Sequence, residues 1–255
     1  MSEITRKNGR YWEAMAGHRR GETVEHLRSG GEVISPEELA VIGPVAGRRF
    51  LQVAASVGDA ALSVALQGAQ AVAVDIAPSH VATGRAKAAE LGVEVDFRVG
   101  DMTALPEDLT GFDTIYISWG GLCWVPDLPV WVADMATRLS PGGRLVIAEH
   151  HPVWEVLSVA GPDLLALSAS YFEQTWIGER DLAKEPQVVK ELGLEWQPHR
   201  AFVWNLGDVI SAFLRAGLVV VALQEFGDRE MYPGFAHGQH LPSTYIAAGE
   251  RPKCD

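Results

Sequence analysis

The sequence predicts an α/β protein built on a doubly wound, mostly parallel sheet with helices on both faces. From Arg49 onward, short apolar runs alternate with stretches of helical periodicity, which is the pattern of parallel strands joined by crossover helices. The helical stretches also carry the expected boundary residues. Pro78 opens one of them and Gly92 follows its end, as is typical of a first helical turn and of a helix C-terminus.

Each element follows from a local signal. Seven strands are expected at residues 50–54, 71–75, 93–99, 114–118, 144–149, 218–223 and 244–248. Helices are expected from about Gly58, from Pro78 and from about Asp127, and a further helix is expected at 208–216, before Gly217. The helix from Asp127 is expected to stop at the Ser-Pro-Gly-Gly sequence of residues 140–143.

The charge balance argues against polyanionic partners. The chain has 255 residues and a formal net charge of −12, from 21 Lys+Arg and 33 Asp+Glu, without a run of basic residues. Such a surface repels a phosphate backbone or an anionic membrane, so neither nucleic acid nor membrane binding is expected. The apolar fraction of 47% is typical of a folded globular protein.

The cysteines and the first residues indicate a cytoplasmic protein. The sequence has two cysteines, Cys123 and Cys254, which argues against a disulfide framework or a cysteine zinc site. Residues 1–20 are too polar for a signal peptide, and no apolar stretch is long enough to span a bilayer. The histidines lack a diagnostic ligand spacing, so no metal is expected.

A turn of small residues follows the first predicted strand. Residues 50–59 read FLQVAASVGD, a buried strand that runs into a helix. Small side chains there let N–H groups at a helix N-terminus approach a ligand closely. The dinucleotide fingerprint GxGxxG would put Asp59 at its third glycine, where a carboxylate would face a pyrophosphate. The spacing GxGxG is matched by Ala54, Ser56 and Gly58, in full at Gly58 and by size at the other two.

Acidic residues end the next two predicted strands. Asp75 closes the second strand and Asp101 follows the third, so both are expected at the carboxyl edge of the sheet. An acid at this edge can accept hydrogen bonds from the hydroxyls of a ribose. A helix cap is the alternative interpretation of such an aspartate. Two acids beside a small-residue turn favour an adenosine site.

Taken as a set, these segments resemble the class I S-adenosylmethionine-dependent methyltransferases. The resemblance covers residues 49–149 well, and the region from 208 onward less sharply. It rests on the small-residue turn, Asp75-Ile76, GDM at 100–102 with LP at 105–106, GFDTI at 111–115 and LSPGGRL at 139–145. It implies a Rossmann-like fold with an antiparallel last strand. It also implies S-adenosylmethionine as methyl donor and S-adenosylhomocysteine as product.

The same resemblance implies which residues bind the cofactor. The turn formed by Ala54, Ser56 and Gly58 would pass its methionine part. Asp75 would hold the ribose, and Ile76 would lie against the adenine.

The following strands would complete the site. Asp101 would accept a hydrogen bond from the adenine amino group, with the Met102 backbone beside the ring. Ser118 and Trp119 would lie near the sulfonium.

The turn also departs from the family. Ala54 and Ser56 stand where glycine is usual, so a positive φ at either residue would strain the turn. Gln52 replaces a common acid in the first strand. The main alternative is therefore a catalytically silent binding protein of the same fold. A second alternative is a nicotinamide-dependent oxidoreductase, against which Asp59 argues.

Two histidines directly after the fifth predicted strand are the candidate catalytic residues. Methyl transfer from a sulfonium is an in-line displacement, which requires alignment and desolvation of the acceptor more than a base. A hydroxyl or a protonated amine must also lose a proton, and histidine is the usual acceptor at neutral pH. His150 is favoured over His151 because it lies nearer the strand end. The alternative is that both are hydrogen-bonded structural residues.

A long segment after the fifth strand is expected to be a substrate cap. Residues 150–203 separate this strand from the next clear helix, which is long for a mere connection. Its aromatic residues are Trp154, Tyr171, Phe172, Trp176, Trp196 and Phe202, with Trp204 just beyond it. With Trp119, Trp124, Tyr232 and Phe235, they suit a small aromatic or apolar acceptor. A small satellite core is the alternative, and oxygen, nitrogen and carbon acceptors stay open.

The chain is expected to form one domain over residues 1–255. Residues 1–48 would be an N-terminal cover, in which Tyr11 and Trp12, with Glu13 and His18, resemble a segment that folds over the cofactor in some family members. Residues 49–149 would bind the cofactor, 150–203 would form the cap, and 204–255 would supply the C-terminal helix and strands. The aromatic residues are equally compatible with a homodimer face.

Overall fold

A seven-stranded mixed sheet forms the centre of the protein. The computed structural model describes residues 2–19, 21–172, 176–177 and 199–253, with the backbone alone at 176–177. In that part of the chain the strands are β1 (Arg49–Val53), β2 (Gln70–Asp75), β3 (Val95–Val99), β4 (Phe112–Ser118), β5 (Leu139–His150), β6 (Leu157–Gly161), β7 (Leu164–Leu167), β8 (Trp176–Ile177), β9 (Arg200–Ala201), β10 (Val219–Phe226) and β11 (Thr244–Glu250).

Helices surround this sheet. Within the described ranges they are α1 (Glu3–Met15), α2 (Val24–Arg28), α3 (Pro36–Ile42), α4 (Asp59–Leu66), α5 (Pro78–Leu91), α6 (Leu128–Arg138), α7 (Pro152–Val156) and α8 (Leu206–Arg215). One hydrophobic cluster joins α6 and α8 to one face of the sheet. A second cluster joins the four helices α2, α3, α4 and α5 to the other face of the sheet. The doubly wound arrangement predicted from the sequence is therefore confirmed.

The strand order places a ligand-binding edge between β1 and β4. The order is β10-β11-β5-β4-β1-β2-β3, and β11 is antiparallel to both of its neighbours while the other pairs are parallel. The antiparallel last strand is confirmed. The chain winds outward from β1 in one direction and from β4 in the other. A crevice therefore opens beyond the carboxyl ends of these two strands, where open α/β sheets bind ligands.

The fifth strand begins earlier than the predicted start at residue 144. Helix α6 ends as predicted, but β5 begins at Leu139 and includes the Ser-Pro-Gly-Gly sequence. Leu139 pairs with Phe112 and Arg144 pairs with Thr114, so the four intervening residues form a bulge opposite Asp113. Proline and glycine break a helix, but they are also tolerated at a bulge in a strand.

The sequence analysis missed three helices before β1. Each begins at a side-chain cap: Ser2 accepts from Thr5 N–H, Thr23 from His26 N–H, and Ser35 from Glu38 N–H. Ser35 and Glu38 form a reciprocal capping box, with a proline at the first helical position. This Ser-x-x-Glu pattern is readable from the sequence alone.

The predicted cap at 150–203 is described in part. It contains α7, the β6–β7 hairpin and the short pairing of β8 with β9, in which Trp176 stands opposite Ala201. Trp196 lies outside the described residues, as does Cys254. Over the described ranges, no helix is long and apolar enough to cross a membrane, and no group of three or more potential ligands is placed to hold a metal ion.

One glycine on α5 permits close packing of this helix on the sheet. A Cβ at Gly84 would lie 2.3 Å from the Phe97 ring and 2.7 Å from the Val57 carbonyl oxygen. We expect Gly84→Ala to lower the free energy of unfolding by about 1–3 kcal/mol in urea denaturation, although alanine favours a helix. Ala82→Gly, on the exposed side of α5, is the control. It measures the effect of helix propensity alone, which we expect to lower the free energy of unfolding by about 1 kcal/mol. A more stable Gly84→Ala variant would contradict the packing argument.

Candidate functional site

The turn after β1 adopts a conformation that usually requires glycine. Ala54 has φ 48°, Ser56 has φ 51° and Gly58 has φ 77°, so all three residues are left-handed. This conformation costs an alanine or a serine about 1–2 kcal/mol. The strain anticipated for Ala54 and Ser56 is therefore present. The backbone of the turn nonetheless follows the path that glycines would follow, and left-handed strain of this kind is characteristic of binding sites.

Asp75 holds this turn in place. Its Oδ2 accepts a 2.7 Å hydrogen bond from the Ser56 N–H, and its Oδ1 accepts one of 2.9 Å from the Ala77 N–H. Oδ1 also lies 3.1 Å from Nδ1 of the buried His80. The carboxylate is buried but lines the crevice. A carboxylate oxygen has more than one lone pair, so Oδ2 retains capacity for a ligand hydroxyl.

Asp101 carries an acceptor that the folded protein does not use. Its Oδ1 accepts hydrogen bonds from the Thr103 N–H (2.8 Å) and the Thr103 hydroxyl (2.7 Å). Its Oδ2 is buried and has no partner among the described residues. A buried acceptor without a partner is costly, and in native proteins it commonly marks a place that a ligand fills. Asp101 therefore fits a ligand that donates a hydrogen bond.

These groups line one cavity beyond the carboxyl ends of β1, β2 and β4. It encloses about 760 Å³, open solvent included. The predicted cofactor residues on its wall are Trp12, Ala54, Ser56, Asp75, Ile76, Asp101, Met102, Ser118 and Trp119. The other wall residues, which were not among the predicted cofactor residues, are Thr5, Asn8, Arg19, Val74, His80, Gly100, Thr103, Gly120, Gly121 and Trp124. We call this space the first cavity.

Two predicted cofactor residues lie elsewhere. Gly58 caps α4, and a Cβ there would lie 2.4 Å from the Phe97 ring, so its contacts are with the sheet rather than with the first cavity. Tyr11 lines a neighbouring cavity, where its ring lies 4.1 Å from that of His199. The structure therefore gives Gly58 a packing role, and it places Tyr11 on the acceptor side of the site.

Helix α1 covers the first cavity with one of its faces. Thr5, Asn8 and Trp12 follow one another at helical spacing and line the cavity together. The Asn8 side chain also exchanges two hydrogen bonds with the Arg200 backbone, of 2.9 Å and 2.8 Å. The N-terminal cover is thus joined to the end of the cap. His18, which we had grouped with this cover, is exposed and lines neither cavity.

A second cavity continues from the first toward the cap. It encloses about 950 Å³ with open solvent, and it shares Trp12, Arg19, Trp119, Gly120 and Trp124 with the first. Its other walls are Tyr11, Leu122, Cys123, Glu149, His150, Pro152, Glu155, His199, Ala201, Phe202, Val203, Trp204 and Tyr245. The two spaces therefore meet at a boundary made largely of tryptophan.

Glu149 organises that boundary. Its carboxylate accepts hydrogen bonds from the N–H groups of Gly120 (2.5 Å), Leu122 (2.9 Å) and His150 (2.8 Å). It thereby holds the loop after β4, in which Trp119 has a φ of 29°. Burial raises the pKa of Glu149, even though His150 and the three N–H groups favour its ionised form.

His150 is the titratable group best placed for proton transfer. It is partly buried, lines the second cavity, and has Nδ1 3.6 Å from both Glu149 Oε1 and Glu155 Oε1. Burial lowers the pKa of His150, but the nearby carboxylates of Glu155 and Glu149 outweigh it, so the pKa lies above its ordinary value. Its ring also contacts Trp154, with centroids 4.7 Å apart.

His151 lies away from both cavities. Its ring is buried, Nδ1 caps α7 by accepting from the Val153 N–H (3.1 Å), and Nε2 lies 2.8 Å from Glu225 Oε1. Burial lowers the pKa of His151 despite the charge of Glu225. Since its side chain serves the helix cap, the structure does not favour the catalytic role that the sequence suggested for it.

The predicted aromatic residues divide into two groups. Trp119, Trp124, Phe202 and Trp204 line the second cavity. Trp154 packs behind His150 and donates to the Met231 carbonyl (2.6 Å), whereas the Tyr171, Phe172, Tyr232 and Phe235 side chains are not on the walls. Among the side chains that the structure describes, fewer aromatic residues than expected line the acceptor cavity.

Several wall residues were missed because their positions depend on tertiary contacts. Thr5 and Asn8 could have been found, since they share a helical face with Trp12 in a segment that already attracted attention. His80, Glu155 and Tyr245 carried no such local signal.

Comparison with known proteins agrees with this geometry. Residues 50–143 match the family model described as a methyltransferase domain. Residues 50–143 therefore form a methyltransferase domain. The matched residues contain β1 to β4, α4 to α6 and the start of β5, so the methyltransferase domain carries most of the first cavity.

The chain also resembles curated proteins in sequence. It is 37% identical over 108 residues to a demethylmenaquinone methyltransferase of Clavibacter sepedonicus, across 42% of this chain and 43% of that protein. It is 35% identical over 125 residues to a ubiquinone biosynthesis O-methyltransferase of Xanthomonas euvesicatoria pv. vesicatoria, across 48% and 52%. The chain thus spans about half the length of the curated relatives it matches.

The likeness in fold extends further along the chain. The crystal structure of an S-adenosylmethionine-dependent methyltransferase from Mesorhizobium loti matches with a TM-score of 0.65, at 19% identity, over 84% of this chain and 95% of that one. At this identity the likeness concerns the fold alone, and it confirms the Rossmann-like methyltransferase architecture.

The different environments of the two histidines lead to a stability prediction. His151→Ala removes a buried ring and a helix cap, so we expect the free energy of unfolding in urea to fall by about 2 kcal/mol. His151→Asn should restore about 1 kcal/mol of that loss, because asparagine also caps a helix. His150→Ala is the matched control, with a smaller expected loss. Equal stability of His151→Ala and the wild type would contradict the capping role.

Proposed function

We propose that this protein transfers a methyl group from S-adenosylmethionine to a small, aromatic or apolar molecule. The observation that carries the proposal is the continuity of two chemically different cavities. The first has a left-handed turn, Asp75 and Asp101 at the edge of a methyltransferase domain. The second is walled by aromatic side chains and contains His150.

The residues of the first cavity suit the cofactor. Asp75 would accept from the ribose hydroxyls, Ile76 would contact the adenine, and Asp101 Oδ2 would accept from the adenine amino group. The turn at Ala54 and Ser56 would leave room for the methionine part, next to Ser118 and Trp119. When bound, S-adenosylmethionine supplies an activated methyl group on a sulfonium.

The two alternative functions find less support. The silent binding protein was suggested by Ala54 and Ser56, but both residues keep the left-handed backbone of a glycine turn. The oxidoreductase requires a pyrophosphate near Asp59. That carboxylate is instead 2.7 Å from Lys87 Nζ and accepts from the Glu22 N–H (2.6 Å), outside the first cavity.

The chain's own residues would act by orientation, exclusion of water and proton transfer. Aromatic walls at Trp119, Trp124 and Trp204 would hold a flat acceptor and keep bulk water away from it. His150 Nδ1 faces two carboxylates, which leaves Nε2 to take a proton from a hydroxyl or amine. The relatives named for menaquinone and ubiquinone are compatible with a ring-shaped acceptor.

Calorimetric titration would test the proposal directly. The purified protein would be titrated with S-adenosylmethionine, S-adenosylhomocysteine and, as control, NADH. We expect micromolar binding of the two sulfur compounds and none of NADH. Binding without turnover across a panel of aromatic acceptors would favour the silent protein, and binding of NADH alone would favour the oxidoreductase.

Asp101 offers a clean variant for cofactor affinity. In Asp101→Asn a donor replaces the unpartnered Oδ2, while the oxygen facing Thr103 is kept, so we expect about tenfold weaker binding of S-adenosylhomocysteine by calorimetry. Asp75 is less suitable, because its loss would also release the Ser56 turn. Asp108→Asn, an exposed carboxylate paired with Arg98, is the control. Unchanged affinity in Asp101→Asn would remove this residue from the site.

The pH dependence tests His150 as the base. For a hydroxyl acceptor, kcat/KM should fall on the acid side as His150 becomes protonated, with a midpoint above 6.5 because its pKa is raised. Glu155→Gln removes a group that raises this pKa, so the midpoint should move to lower pH. His150→Ala should lower the rate about 100-fold. An acid limb that is identical in Glu155→Gln and wild type would argue against this role.

A further inference from the structure

The second cavity contains a buried hydroxyl that the fold does not use. Tyr245 is 1% exposed and lines this cavity, yet its Oη has no hydrogen-bond partner in the described part of the chain. Buried tyrosine hydroxyls usually find a partner, and phenylalanine would fill the same space without leaving a polar atom unpaired. The hydroxyl is therefore unexplained by folding.

The position of Tyr245 in the sheet puts its side chain beside that of Glu149. Tyr245 on β11 stands directly opposite Glu149 on β5, and side chains of directly opposed residues lie on the same face of a sheet. Glu149 in turn binds the His150 N–H, and all three residues line the second cavity. The unused hydroxyl therefore lies in the same cavity as the proposed base.

A second unused donor lies at the boundary of the two cavities. The indole Nε1 of Trp124 is buried and lacks a partner among the residues described. Burial, together with the charge of Glu149, raises the pKa of Tyr245 well above its ordinary value, so its hydroxyl stays protonated at neutral pH. The second cavity consequently offers two unused donors, of which the indole is a donor only.

We infer that the acceptor is an aromatic molecule bearing a reactive hydroxyl and a second oxygen, and that Tyr245 donates a hydrogen bond to one of these oxygens. This inference rests on the proposed function for the reaction itself. A ring with two oxygens satisfies the unused donors and presents a hydroxyl proton to His150. A protonated amine has no lone pair for either donor, and a hydrocarbon would leave both unpaired. Tyr245 is therefore a positioning and specificity residue for an oxygen acceptor.

The test uses a probe and a pair of tyrosine variants. 4-Nitrocatechol carries two ring oxygens, and its nitroaromatic ring quenches the fluorescence of nearby tryptophans such as Trp119 and Trp124. 4-Nitrobenzylamine has the same ring with an ammonium group. Dissociation constants would be measured by quenching, with and without saturating S-adenosylhomocysteine, for the wild type, Tyr245→Phe and Tyr232→Phe. Tyr232 is a matched control, because it is buried outside both cavities and its hydroxyl donates to the Pro242 carbonyl (2.7 Å).

The two tyrosine variants should differ in opposite ways: one should lose probe affinity but not thermal stability, and the other should lose thermal stability but not probe affinity. Tyr245→Phe should weaken 4-nitrocatechol binding about tenfold and leave S-adenosylhomocysteine binding and Tm unchanged, or raise Tm. Tyr232→Phe should bind the probe like the wild type but lower Tm by about 2–4 °C, because it loses a hydrogen bond and strands a carbonyl.

Three results would overturn the inference. In the first, Tyr245→Phe binds 4-nitrocatechol as tightly as the wild type does, and in the second its Tm falls as much as that of Tyr232→Phe. In the third, the wild type binds 4-nitrobenzylamine at least as tightly as 4-nitrocatechol. If neither probe binds while S-adenosylhomocysteine does, the oxygen acceptor is wrong and the proposed function stands. If S-adenosylhomocysteine does not bind, the proposed function fails, and the titration without it still decides the role of Tyr245.

Discussion

The hydrogen bond from the Ser56 N–H to Asp75 Oδ2 is the interaction on which the first cavity depends. It ties the left-handed turn after β1 to the end of β2, and β1 borders the position, between β1 and β4, where the order of the parallel strands reverses. Without this hydrogen bond, Ala54 and Ser56 would be less stable in the left-handed conformation, which favours glycine. One carboxylate thus stabilises the strained backbone and also faces the space that the backbone outlines.

A second carboxylate plays the corresponding part on the acceptor side. Glu149 is the penultimate residue of β5, but it binds N–H groups of the loop that follows β4, so two neighbouring strands present one continuous wall. The same loop supplies Trp119 to both cavities. Since these hydrogen bonds join one side-chain carboxylate to main-chain N–H groups, the path of the loop depends on Glu149. The chemistry of the second cavity then depends on His150, Glu155 and Tyr245.

Much of this arrangement could be predicted from the sequence, because strand ends are local features. The small-residue turn, Asp75 and Asp101 could be placed at one edge of a parallel sheet by order alone. The side chain of His151 could not be placed, since only the start of α7 turns it away from the cavities. Tyr245 was equally out of reach, because its position follows from the pairing of β11 with β5, across almost a hundred residues of chain. Long-range pairing of this kind leaves no periodic trace in the sequence.

The paired hydrogen bonds between Asn8 and Arg200 affect how ligands would enter and leave the two cavities. Helix α1 covers one cavity, and the strand that contains Arg200 borders the other. A movement that separates α1 from β9 and so uncovers a cavity would have to break these two hydrogen bonds. Otherwise α1 and β9 would have to move together. The methyl donor and the methyl acceptor would then leave through one shared opening. The departure of one product would loosen the cover over the other. Under the proposed function, breaking the two Asn8–Arg200 hydrogen bonds would limit the rate of turnover whenever the chemical step is faster.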